Sequence, residues 1–328
     1  MASFGFGRKK SAVPEPRASR KEVAAIVAQL SDETPTVRRD AAGALRALAL
    51  QADMKKLIVR CHGIGPLVDL CDGVDTDGQS AEAAARCLWN LAVDDGNKEA
   101  IAESGAVPAL VCVLAAAGDD RAGAREAAAG ALRNLAVRPE NRSLIIEGGA
   151  APALVALIQS ADAAGAEAAA RCVWNLAFES PENQAALELC IEPLVALCEH
   201  GGAAARGAAA GALRNLLHAH AANRDAAAEA NAPPVLATLL ADPAIDAGAR
   251  KHAAALLKSL GAAPRGVAGV AAALKCDADR ESIGREVDKR LSAKPEDPLR
   301  RSTSQKTLAA MMRRLTPKSS SNKCVTTK

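Results

Sequence analysis

Tyrosine is absent from these 328 residues, and the remaining aromatics are three Phe and two Trp. A buried core without aromatics has to be assembled from Ala, Leu and Val, and small side chains can fill space to native density only if helices approach closely. No stretch comes near the roughly 18–20 uninterrupted apolar residues that a membrane-crossing helix needs, and no charged-then-apolar leader opens the chain. The expected location is therefore cytoplasmic and/or nuclear. Ala2 stands where N-myristoylation requires Gly, and Cys324 is fifth from the end where prenylation requires fourth, so no lipid anchor is expected.

Chemistry-bearing motifs are missing as well. There is no C-x-x-C, and the five His (His62, His200, His218, His220, His252) form no ligand set at metal-binding spacing. No phosphate-binding Gly-rich loop, H-E-x-x-H or G-x-S-x-G occurs, and an Ala-rich chain offers few polar groups that could converge. The expectation is a protein that is not an enzyme, with no catalytic residues, no metal, no cofactor and no small-molecule substrate. Nine Cys are present, and Cys87 and Cys172 occupy equivalent positions where neighbouring segments carry small apolar residues, the pattern of buried, reduced thiols.

What the chain does contain is repetition. Residues 81–92, AEAAARCLWNLA, return almost letter for letter at 166–177, AEAAARCVWNLA, and a sister version appears as AREAAAGALRNLA from Ala124, RGAAAGALRNLL from Arg206 and RRDAAGALRALA from Arg38. Aligned on the Asn of the N-L dipeptide, the copies place Asn90, Asn134, Asn175 and Asn215 in one register, with Ala47 before and Ser259 after, at steps of 43, 44, 41, 40 and 44 residues. A period in the low forties belongs to helical solenoids, which grow along one axis and escape the usual size limit of a compact domain.

Punctuation places three helices in each repeat. Asn97, Asn141, Asn183 and Asn223 are expected at or near the N-cap of a short first helix, and Gly105 and Gly148 are expected to close it in left-handed conformation. Pro66, Pro108, Pro152, Pro193 and Pro234 mark the start of a second helix, where a missing N–H costs nothing. The third and longest helix carries the Asn motif, with Leu88, Leu132, Val173 and Leu213 facing the core.

The expected organisation is a basic, disordered tail over residues 1–21, and a solenoid over 22–262 made of a half-repeat cap and five repeats. A helical cap over 263–293 and a second basic tail over 294–328 follow. The first tail has six Lys/Arg against one acid and the second nine against two, so with a net charge of +3 the body between them is acidic. Leu308, Met311, Met312 and Leu315 would form one face of a helix if a partner induced one. The basic tails allow membrane contact that is at most electrostatic.

The three-helix order, Gly then Pro between the first two helices, and G-A-L-R-N-L-A on the third resemble the armadillo-repeat proteins over roughly residues 22 to 262. The phrasing of AAGALRNLAVRPENRSLIIEGGA from Ala128 is similar to the vacuolar armadillo adaptor and plant armadillo groups. The resemblance implies an all-α, right-handed superhelical solenoid whose third helices line a concave groove. It also implies a non-enzymatic scaffold or adaptor that takes an extended protein segment, without direct nucleic-acid binding. Asn90, Asn134, Asn175 and Asn215 match the positions whose amides hold a peptide backbone in that family. An importin-like nuclear transport adaptor and a subunit of a ubiquitin-ligase complex are the alternatives the resemblance leaves open.

The chain departs from importin-α-like proteins four residues before each Asn, where Arg86, Gly130, Arg171 and Gly211 replace Trp. Trp89 and Trp174 stand immediately before their Asn, where Arg133 and Arg214 stand in the sister repeats. The two indoles could pack between repeats, or line the groove stacked on Arg86 and Arg171. The positions one and four before each ladder position hold Arg46, Arg86, Arg133, Arg171, Arg214 and Lys258 and no acid, which points to an acidic or phosphorylated segment as ligand. Glu82 and Glu167 precede Arg86 and Arg171 by four residues and are placed to pair with them. Arg133 and Arg214 have no such acid and are the stronger candidates.

Overall fold

The computed structural model describes residues 18–72 and 78–261, and among them are seventeen α-helices, two short 3₁₀ segments and no strand. The expected helices after residue 262 and both expected tails, except residues 18–21, lie outside the described residues. Helix formation begins at Arg20, two residues earlier than the composition suggests, because Ser19 and Glu22 form a reciprocal cap. The Ser19 hydroxyl accepts from the Glu22 N–H at 3.3 Å and the Glu22 carboxylate accepts from the Ser19 N–H at 2.7 Å.

Two helices, Arg20–Gln29 and Pro35–Leu48, precede five repeats of three helices each. The third helices, Gly78–Leu91, Ala122–Leu135, Ala163–Leu176, Ala203–Leu216 and Ala247–Leu260, are all 14 residues long, as is Pro35–Leu48. They pack on one another in series down the array, with the second helices packed against them. Close approach depends on Ala: Ala127, Ala128, Ala129 and Ala131 are all buried on Ala122–Leu135 beside Leu132 and Leu135. Each fully buried Leu contributes about 1.5–3 kcal/mol through the apolar area it removes from water. Leu88, Leu132, Val173 and Leu213 are in this core as expected.

The first helices depart from expectation in an informative way. Asp94, Arg138, Ser180 and His220 hold the N-cap positions, and Asn97, Asn141, Asn183 and Asn223 come three residues later and are buried. Their amides face backwards. Asn97 Nδ2 donates to the Leu91 carbonyl at 3.1 Å, Asn141 to Leu135 at 3.1 Å, Asn183 to Leu176 at 3.1 Å and Asn223 to Leu216 at 2.8 Å. These carbonyls end the third helices and have no intrahelical partner, so each Asn closes the preceding helix rather than opening its own. Arg138 cannot cap with an oxygen, and Pro139 at the first helical position begins that helix instead.

Gly148 is in right-handed conformation, and the left-handed residue is Gly149 with φ +82°, one residue later. Gly105 has the same φ, and Asn231 at φ 60° fills the equivalent place in the last repeat, as an Asn side chain tolerates this region. The second helices begin at Ile64, Ala106, Ala150, Ile191 and Ala232, which puts each proline at the third helical position. Proline is free of cost there too, since the first four N–H groups lack partners.

Candidate functional site

One stripe of each third helix carries the partly exposed side chains, interrupted by the buried Gly130, Gly207 and Gly211. Positions eight, four and one before the ladder residue, together with that residue, fall on one face at helical spacing. In the first full repeat the stripe reads Glu82, Arg86, Trp89, Asn90, and in the second Glu126, Gly130, Arg133, Asn134. The third has Glu167, Arg171, Trp174, Asn175, and the fourth has Gly207, Gly211, Arg214, Asn215. Set side by side, these stripes form a continuous surface along the array.

The ladder amides are engaged on their donor side. Asn90 Nδ2 donates to the Arg46 carbonyl at 3.3 Å, Asn134 to Trp89 at 3.2 Å, Asn175 to Arg133 at 2.9 Å and Asn215 to Trp174 at 2.8 Å. Every acceptor is the residue one position before the ladder site in the preceding repeat, so the ladder ties each third helix to the last turn of the one before. Asn134 Oδ1 receives Arg133 Nε and Nη2 at 3.3 and 3.2 Å. Oδ1 of Asn90, Asn175 and Asn215 has no protein donor among the described residues, and these oxygens are what the ladder can offer a ligand.

Both indoles are half-buried and lie across the third helix of the following repeat. A Cβ placed on Gly130 would come within 2.6 Å of Trp89 Cδ2, and one on Gly211 within 2.3 Å of Trp174 Cζ3. Glycine stands four residues before Asn134 and Asn215 because an indole occupies the space. The indoles pack between repeats, the first of the two alternatives, and the cation over Trp89 is Arg133, at 5.7 Å from the ring centroid, not Arg86. Among the described residues Trp174 meets no Arg in this way; it packs edge-on against His252 of the fifth repeat, ring centroids 4.9 Å apart. Stacking on the residue three positions earlier is defeated because Arg86 and Arg171 are drawn to acids.

Arg86 Nε meets Glu82 at 2.8 Å and its Nη2 meets Glu126 of the next repeat at 2.7 Å. Partial burial works against the charge on Arg86, but the two carboxylates outweigh it and hold the guanidinium pKa above its ordinary value. Arg171 pairs with Glu167 at 2.8 Å. Arg133 and Arg214 make no ion pair among the described residues. Burial, followed by the neighbouring Arg171, lowers the Arg133 pKa. Arg214 is exposed, and its Nη1 lies 3.3 Å from His252 Nδ1. Burial, then the charge of Arg214, lowers the His252 pKa, with Asp246 acting in the opposite direction. Arg46 and Lys258 are exposed at the two ends of the row. Among the described residues no group of His, Cys, Asp and Glu is arranged to hold a metal ion.

The repeat geometry matches known proteins. Residues 51–93, 94–137 and 138–178 fit the model of the armadillo/beta-catenin-like repeat. Residues 51–178 of the chain are armadillo repeats. These three segments are the first three full repeats described above. The chain is 36% identical over 95 residues to U-box domain-containing protein 10 of Arabidopsis thaliana, a match that spans 29% of this chain and only 15% of that protein. Two solved engineered proteins share the architecture. One superposes with a TM-score of 0.67 at 26% identity over 74% of this chain and 99% of its own, the other with 0.68 at 27% over 90% and 70%. A designed armadillo repeat protein in complex with a (KR)4 peptide superposes with a TM-score of 0.64 at 23% identity over 73% of this chain and 99% of its own.

Within the armadillo frame the sequence took the second Asn set for N-caps and, of the carboxylates that share the exposed face with the arginines, missed Glu126. Glu126 was the least accessible of these, since it sits 40 residues from Arg86 and pairs with it only once two repeats are stacked.

Proposed function

We propose that this armadillo-repeat protein is a non-enzymatic scaffold whose third-helix face forms a concave groove for an extended protein segment, and that the segment is acidic or phosphorylated. The observation that carries the choice of charge is that Arg133 and Arg214 lie on this face without a carboxylate partner among the described residues, whereas Arg86 and Arg171 are paired. Guanidinium groups not neutralised by a carboxylate suit carboxylate and phosphate oxygens. The acids of the face stop at Glu167. Beyond it the equivalent positions of this stripe are Gly207 and Lys251, which carry no negative charge. The unshared Oδ1 atoms of Asn90, Asn175 and Asn215 supply acceptors for main-chain N–H groups of the ligand. The designed relative solved with a peptide supports a protein segment as ligand, although its (KR)4 peptide is of the opposite charge.

The test is a titration of an acidic and a basic peptide at two salt concentrations, with wild type and an Arg133→Glu/Arg214→Glu variant. The acidic peptide should bind with affinity that falls as salt rises, because exposed charges are screened over about 8 Å at physiological ionic strength. The basic peptide should bind poorly. Acidic-peptide binding that survives the double charge reversal sinks the reading.

A further inference from the structure

The exposed face alternates with a period of two repeats. The first full repeat offers Trp89, and the second answers with Gly130 beneath the ring and Arg133 one turn further along the same stripe. The third repeat offers Trp174, and the fourth answers with Gly211 beneath it and, again three residues on, Arg214. Indole, glycine and unpaired arginine thus recur as one composite unit, built twice. Between the two units lies Arg171, held by Glu167 at 2.8 Å, and before the first lies Arg86, held by both Glu82 and Glu126. After the exposed Arg46 at its start, the face therefore presents two guanidinium groups without a carboxylate partner, separated by a neutralised step: Arg133 over the Trp89 indole, and Arg214 beside His252, which packs edge-on against Trp174.

We infer that the groove reads two anionic side chains on one extended segment, one at Arg133 beside Trp89 and one at Arg214 beside His252. This rests on the acidic-segment reading above and adds the number and the spacing of its determinants. The spacing follows from geometry. Packed helices stand about 8–10 Å apart, so two repeat steps span at most about 16–20 Å, and less on the inner side of a curved array. An extended chain advances about 3.3 Å per residue, which places the two anions about four to six residues apart. Side chains of an extended segment alternate between faces with a period of 2, so two that point into the same groove are separated by an even number of residues. The inference is therefore a separation of four or six, and not five. The two units also differ in a way that orders them. Arg133 is half-buried over its ring and faces Arg171, which is already paired. Arg214 is exposed beside His252, with Lys251 where the earlier repeats carry a carboxylate. The anion at Arg214 is the more strongly held.

The experiment uses the full chain and fluorescein-labelled Ser/Gly/Ala peptides carrying two phosphoserines separated by four, five or six residues, with singly phosphorylated controls, read by anisotropy. Linking two weak sites raises the effective concentration of the second, so the best even spacing should bind about tenfold or more tighter than either the spacing of five or the single phosphate. Arg133→Gln should bring that peptide to the affinity of the single phosphate, and Arg214→Gln should weaken the singly phosphorylated peptide more than Arg133→Gln does. A parallel series with Glu in place of phosphoserine identifies the anion, and the same even-spacing preference in either series supports the inference. Affinity that follows the number of anions but ignores their spacing overturns it while leaving the acidic-segment reading intact. Failure of every anionic peptide to bind overturns both.

Discussion

Replacing Gly211 with Ala tests the packing on which the exposed face depends. Taken alone, the change should stabilise the helix Ala203–Leu216, since Gly in a helix interior is less favourable than Ala by about 1 kcal/mol. The indole reverses the sign. A Cβ at this position would lie 2.3, 2.4 and 2.7 Å from Trp174 Cζ3, Cε3 and Cη2, so the ring has to move by about 1 Å to reach the 3.4–4 Å of ordinary contact. His252 packs against the same ring. Overpacking of this kind costs about 1–3 kcal/mol, which leaves a net destabilisation of roughly 0–2 kcal/mol after the helix-propensity gain. In a Trp174→Ala background nothing opposes the new methyl group, and the same substitution should stabilise by about 1 kcal/mol. The difference between backgrounds is a coupling energy of about 1–3 kcal/mol, within the usual range for residues in contact. Urea denaturation followed by far-UV circular dichroism on the four proteins of the cycle measures it. Because the chain has two Trp, a Trp89→Phe background makes Trp174 the sole indole, and its emission should shift in Gly211→Ala. Equal stabilisation in both backgrounds would refute the placement of the indole over this glycine.

Other outcomes follow from the same structure. Asn134→Ala removes the bond to the Trp89 carbonyl and should cost about 0.5–1.5 kcal/mol of stability, so the ladder is structural even before any ligand is considered; unchanged denaturation midpoints would count against it. Asn223→Ala should cost more than Asn134→Ala, since the fully buried Asn223 amide bridges the Gln184 carbonyl at 2.9 Å and the Leu216 carbonyl at 2.8 Å. Cys87, Cys172 and Cys198 are buried, with burial pushing Cys172 and Cys198 up to about 12 and Cys87 upward as well. Native alkylation near pH 8 followed by mass spectrometry should leave them unmodified while exposed Cys112 reacts. His252 should titrate below 6.5 by NMR and rise in Arg214→Gln. Because its folded pKa is depressed, the unfolded chain takes up the proton first, and the stability tied to neutral His252 should be complete above about 6.5 and decline as pH falls below it.

The repeat architecture was legible because one register of small and apolar residues recurs at nearly constant step, and because Pro and the positive-φ residues punctuate it. What the sequence could not resolve were relations across repeats. Asn97, Asn141, Asn183 and Asn223 look like N-caps when only their own helix is considered. The carbonyl each one satisfies belongs to the end of the previous repeat, six or seven residues back, and is visible only once the two helices meet at an angle. The partner of Arg86 at Glu126 and the cation over Trp89 depend on the same stacking. The alternation of Trp with Gly at the neighbouring repeat was present in the letters, as Trp89 before Gly130 and Trp174 before Gly211. Its meaning required the knowledge that position −1 of one third helix lies over position −4 of the next.

The indole-over-glycine contact also limits how such an array can change length over evolution. A single repeat excised from its middle would bring Trp89 over Arg171, or Arg133 over Gly211, so that one junction is overfilled or another left with a gap. Removing the second and third full repeats together brings Trp89 over Gly211 and restores the contact. A change in length that keeps this contact therefore adds or removes repeats as a pair.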